Sequence, residues 1–132
     1  RRGARGAANS LIRRDGRVGR DVLADAADAR AWHAGVSAFE GRERCNDFSI
    51  GIELEGSDDV AFEAAQYDAL AALTRALQRR YRLAAVCGHQ HIAPGRKTDP
   101  GPCFDWSRYR LDLQKNAAPA HPARALRFPP AA

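Results

Sequence analysis

Between Gly88 and Asp105 the chain reads Gly-His-Gln-His-Ile-Ala-Pro-Gly-Arg-Lys-Thr-Asp-Pro-Gly-Pro-Cys-Phe-Asp. Two imidazoles, an ammonium and two carboxylates share this one stretch. Pro94, Gly95, Pro100, Gly101 and Pro102 argue against continuous helix or strand through it. A loop of this length can fold back so that His89 meets Asp99. An imidazole nitrogen beside a carboxylate oxygen suits zinc, which takes both at roughly 2.0–2.2 Å. Lys97, two residues before Asp99, suits stabilisation of charge developing on a carbonyl oxygen. The plainer alternative is a rigid surface loop whose His and Lys are solvated.

A second group sits on a different element. Phe48, Ile50, Ile52 and Leu54 alternate with Ser49, Gly51, Glu53 and Glu55. That period of two predicts a strand with one apolar face. Glu53 then projects from the other face. There it is a candidate general acid or base, or an ordinary solvated glutamate. Upstream, Trp32-His33 lies among small residues. The pair suits the wall of a cleft, or a partly buried Trp with a hydrogen-bonded His.

The remaining elements must position these groups. Ala8 to Ile12 reads as a short strand. Arg13-Arg14-Asp15-Gly16 reads as a hairpin turn with Asp-Gly as its turn pair. Val18, Val22 and Leu23 are candidates for the return strand. Gly41 to Asp47 is polar and turn-rich. From about Phe62 to Tyr81 the spacing of Ala69, Leu70, Leu73, Ala76, Leu77 and Tyr81 predicts a helix. Leu83 to Cys87 predicts a short strand that delivers Gly88 and His89 at its end. Asp105 to Lys115 predicts a final helix with Trp106, Tyr109 and Leu113 on one side. The order describes an α/β domain with a mixed central β-sheet flanked by helices. It occupies residues 1–116, followed by a disordered tail over 117–132 that holds four of the seven prolines.

Composition narrows the function classes. At 132 residues, 45% apolar and 28% charged, the chain suits one soluble domain. No run approaches the ~20 apolar residues of a membrane helix, and no export signal opens it. Cys45, Cys87 and Cys103 are an odd number without CxxC spacing. A reducing cytoplasm fits them better than a disulfide framework. Cys87 and Cys103 flank the loop, near enough to meet a metal, but small buried thiols are the preferred reading. The net charge of +5 comes from arginines crowded into the first twenty residues. Without aromatic interleaving, that run reads as a solvated end rather than a nucleic-acid surface.

Four segments together resemble a known family: Leu11 to Gly16, Arg30 to Ser37, Gly41 to Gly56 and Ile92 to Gly101. They resemble the AmpD-type 1,6-anhydro-N-acetylmuramyl-L-alanine amidases, zinc enzymes of bacterial cell-wall recycling. The fold implied is that of peptidoglycan recognition proteins and phage amidases. The match runs from about 11 to 105. The resemblance implies His89 and Asp99 as zinc ligands, Glu53 as catalytic acid/base and Lys97 as the oxyanion stabiliser. It implies Arg44 as a contact for substrate carboxylates and His33 at the edge of the substrate cleft. The implied substrate is an anhydromuramyl peptide, in the cytoplasm, with no nucleic acid or membrane partner. The family's remaining zinc ligand is a His in a Val-His-Asn-type motif upstream of the segment matching Leu11 to Gly16. Nothing in this chain matches it, so the sequence reads as N-terminally truncated. His33, Cys87 and His121 are possible substitutes, and His91 on a strand would face away from His89. A non-catalytic muropeptide-binding module or an inactive fragment is therefore the alternative expectation.

Overall fold

A computed structural model of the chain describes residues 10–19, 37–43, 49–115 and 126–129. Its strands are β1 (Ser10–Ile12), β2 (Val18–Gly19), β3 (Ala38–Phe39), β4 (Arg42–Glu43) and β5 (Ile52–Leu54). Its helices are α1 (Ala64–Arg80), α2 (His89–Ile92) and α3 (Trp106–Lys115). The expected positions at Val22, Leu23, Trp32, His33, Arg44, Cys45, Phe48 and His121 lie outside the described residues.

The sheet has the order β2-β1-β5 and is mixed, as expected. β1 pairs antiparallel with β2 and parallel with β5. The hairpin differs in one detail. The Gly16 N–H donates to the Arg13 carbonyl at 2.8 Å, so Arg14 and Asp15 are the central turn residues. Gly16 follows at φ +88°, and an added Cβ there would meet the Ala65 carbonyl oxygen at 2.9 Å. Glycine is thus required twice, by conformation and by the close approach of α1.

A second hairpin, β3–β4, turns through Glu40 and Gly41, both at positive φ. That is the two-residue turn whose twist matches the strands it joins. The polar composition around Gly41 hid Arg42 and Glu43 as strand residues.

α1 fills the span its spacing predicts, but its buried face is rotated from the expected one. Tyr67, Leu70 and Ala71 are buried, and so are the polar Gln66 and Thr74. Ala76 and Tyr81 face solvent instead. The two polar residues are tolerated because each is bonded. The Thr74 hydroxyl lies 2.7 Å from the Leu70 carbonyl and 2.6 Å from the Tyr109 hydroxyl on α3. Burial pushes the Tyr109 phenol up to about 12. Gln66 donates to the carbonyls of Glu55 (2.8 Å) and Ile12 (3.4 Å) and accepts from the Glu63 N–H at 2.9 Å. One side chain thus joins the ends of β1 and β5 to the start of α1.

The core gathers Ile12, Phe62, Tyr67, Leu70, Phe104 and Tyr109. Full burial of such side chains stabilises by about 1.5–3 kcal/mol each. Just before α3, the Asp105 carboxylate accepts the Arg108 N–H at 3.0 Å, a cap on the free donors of the first turn. Among the described residues no helix is long and apolar enough to cross a membrane.

Two expectations fail here. Leu83 to Cys87 is not a full strand but a single parallel bridge, Ala85 with Arg127. The Val86 N–H donates to the Arg127 carbonyl at 2.9 Å and the Arg127 N–H to that of Ala84 at 3.0 Å. Nor is the whole stretch after 117 disordered. Arg127 pairs with Glu40 at 2.7 Å, and the Phe128 ring meets Tyr109 edge-on with centroids 5.5 Å apart. A proline-rich composition gave no hint of an arginine paired with the exposed Glu40 or of a phenylalanine packed on the core residue Tyr109.

Gln66→Leu should lower stability by about 2 kcal/mol, because it strands the Glu55 carbonyl and the Glu63 N–H. A urea midpoint that falls with an unchanged slope is the expected result; an unmoved midpoint would contradict it.

Candidate functional site

His89 is the first residue of α2, and Gly88 caps it. The chain then turns back. The Ala93 carbonyl accepts from the N–H groups of Arg96 (3.1 Å) and Lys97 (3.0 Å), and Gly95 takes φ +79°. The Gln90 N–H reaches the Asp99 carbonyl at 3.1 Å. The two arms close most tightly at Gly88, where an added Cβ would lie 2.8 Å from Pro100 Cδ and 3.1 Å from His91 Nδ1. The return arm is also held from outside. Gly101 is buried with its Cα against the Asp58 carboxylate, and the Cys103 thiol donates to the Asp58 carbonyl at 3.1 Å.

This closure brings His89 Nδ1 to 3.3 Å from Asp99 Oδ2. The His89 side chain is 16% exposed and that of Asp99 63%. The carboxylate is thus open to solvent, while the imidazole beside it is largely covered. Two donors at roughly 2.1 Å from a tetrahedral zinc stand about 3.4 Å apart. The pair fits two corners of such a site in both chemistry and spacing. The same distance also suits an ion pair when His89 is protonated. Among the described residues no third His, Cys, Asp or Glu joins it.

The other expected residues are placed as follows. Glu53 lies at the centre of β5, exposed, between the half-buried Ile52 and Leu54, and in register with Leu11. Lys97 is exposed on the returning arm of the loop. His33 and Arg44 lie outside the described residues.

His91 turns away from His89, as expected, but for a different reason: it sits on a helical turn, not a strand. Its Nδ1 accepts the Gly88 N–H at 2.8 Å, and its ring meets Trp106 edge-on. An accepting Nδ1 is unprotonated, so the neutral ring carries its hydrogen on Nε2. Burial holds this imidazole below its ordinary pKa. His91 therefore caps α2 rather than offering itself beside His89.

Cys87 lines a cavity of about 340 Å³ between β3, residues 85–87 and residues 127–129. His91 is in its wall; Glu53, His89, Lys97 and Asp99 are not. Sequence reasoning missed Gln90, which bridges the two arms, because nothing in its spacing marks it.

The comparisons with known proteins place the chain in a family. The profile of the N-acetylmuramoyl-L-alanine amidase family matches residues 1–102. The chain belongs to that family. Over 105 residues it is 61% identical to 1,6-anhydro-N-acetylmuramyl-L-alanine amidase AmpD of Citrobacter freundii, covering 78% of this chain and 54% of that protein. A crystal structure of a selenomethionine AmpD derivative superposes with a TM-score of 0.73 at 56% identity, covering 83% of this chain and 60% of that one. The Escherichia coli amidase AmiD, solved with the substrate anhydro-N-acetylmuramic acid-L-Ala-D-gamma-Glu-L-Lys, superposes with a TM-score of 0.69 at 36% identity. That match covers 80% of this chain and 47% of that one. The chain thus spans little more than half the length of the curated AmpD proteins it matches.

Gly88→Ala should cost about 1–3 kcal/mol, since the methyl must displace Pro100 or the His91 ring. Gly19→Ala is the control, because nothing lies within 4 Å of a Cβ there. Denaturant melts that move by the same amount for both variants would contradict the close approach.

Proposed function

We propose that the chain carries the catalytic loop of a zinc-dependent amidase. It would hydrolyse the bond between 1,6-anhydro-N-acetylmuramic acid and L-alanine in peptidoglycan fragments. The observation that carries this reading is the convergence of His89 and Asp99 at 3.3 Å, in a chain of this family. Recycling of cell-wall fragments in the cytoplasm is the setting it suits, with a muropeptide as partner and neither nucleic acid nor membrane.

His89 and Asp99 would hold the zinc. When bound, the ion would supply Lewis acidity and bring the pKa of water toward neutrality. Glu53, on a strand rather than a loop, would accept the proton from the attacking water. It would then return that proton to the departing alanine nitrogen. Lys97 would face the oxygen of the tetrahedral adduct and offset its charge. Arg44 would meet the carboxylates of the peptide, and His33 would stand at the cleft edge. Each role matches the chemistry of the residue type and the family resemblance.

A second reading has an observation of its own. Catalytic zinc sites normally use three protein ligands, and the described residues bring two together. A module that binds muropeptides without cleaving them fits that count.

The test is hydrolysis of an anhydromuramyl-L-Ala peptide with zinc supplied, alongside calorimetric binding of the same peptide. The amidase reading expects release of the peptide, and a loss of about 10²–10⁴-fold in Glu53→Gln. Exposure of Glu53 implies that the variant keeps its parent's stability. Activity that survives Glu53→Gln would sink the assignment of that residue. Binding without release in the parent chain would favour the second reading.

A further inference from the structure

We propose that Gln90 is a positioning residue that sets the separation of His89 and Asp99 through its side-chain carboxamide. The carbonyl oxygens of Thr98 and Asp99 both face that carboxamide. Two acceptors can be met only by its NH2 end. In that orientation the nitrogen lies 3.0 Å from the Thr98 oxygen and 3.3 Å from the Asp99 oxygen. The backbone N–H of Gln90 already donates to the same Asp99 oxygen at 3.1 Å. A single residue thus holds the return arm by three hydrogen bonds, next in sequence to His89. The Asp99 backbone cannot drift from α2 without breaking them, and its carboxylate rides on that backbone.

The consequence follows from the loop's shape. Residues 94–99 are exposed. Their own internal bonds, from Arg96 and Lys97 to Ala93, close the tip and not the base. The base is fixed by the packing of Pro100 on Gly88 and by Gln90. Pro100 sets how near the arms come, while Gln90 sets which carbonyls align, and so where the Asp99 side chain starts. Two donors some 3.4 Å apart are what a metal needs. The importance of the clasp for metal binding rests on the amidase reading above; its geometry does not.

The experiment uses the full chain without added metal, so it is independent of that reading. Gln90→Glu keeps length and volume but turns two oxygens toward two carbonyl oxygens. Gln90→Arg restores N–H donors with comparable reach. The readouts are hydrogen exchange at the residue-90 amide and the ring-nitrogen NMR shifts of His89, with α1 amides as the reference. Gln90→Glu should speed exchange at position 90 by about tenfold or more and move the His89 shifts, leaving α1 unchanged. Gln90→Arg should return both toward the parent values. Parent-like exchange and shifts in Gln90→Glu would overturn the proposal. So would a loss spread equally over α1, or a failure of Gln90→Arg to restore what Gln90→Glu removes.

Discussion

The site depends on one close approach, between the backbone at Gly88 and the ring of Pro100. A loop of about ten residues has many ways to close, and each costs chain entropy that something must offset. Here the offset is local and polar at the base of the loop. The absence of a Cβ at Gly88 admits Pro100, and the Gln90 N–H then meets the Asp99 carbonyl. His91 caps the same turn through its Nδ1. With the base fixed, the exposed crest can vary in shape without separating His89 from Asp99. That is the arrangement a metal ligand pair requires, because a ligand displaced by even half an ångström no longer shares its ion.

The rest of the molecule keeps that base in register with Glu53. α1 links the two parts. Through Gln66 it binds the ends of β1 and β5, and through Tyr67 its hydroxyl accepts the Asp105 N–H just after the loop at 2.9 Å. Phe104 packs against both Phe62 and Tyr67, which anchors the exit of the loop in the same core. The 126–129 segment does the same for the entrance, pairing with Ala84 and Val86 four and two residues before Gly88. These residues lie beyond the stretch matched by the family profile.

Much of this was legible in the sequence, for identifiable reasons. Of the strand expected over residues 48–55, β5 forms Ile52–Leu54, and the long apolar period of α1 is a strong signal because burial imposes it. A fold-back of His89 onto Asp99 could be read from the sequence because prolines and glycines argue against continuous helix or strand beyond Ile92. Three things were not. The buried stripe of α1 was misplaced because Gln66 and Thr74 are polar, and their partners come from distant residues. The bridge to Arg127 depends on a contact across forty-two positions that composition cannot reveal. Gln90 looked like any surface glutamine, since its role is set by which carbonyls happen to face it.

The most direct measurement is zinc content per chain after saturation and dialysis, in the parent and in His89→Ala and Asp99→Ala. The account predicts about one zinc in the parent and little in either variant. A parent chain that retains none, or variants that retain as much as the parent, would contradict the claim that this pair is the core of a metal site.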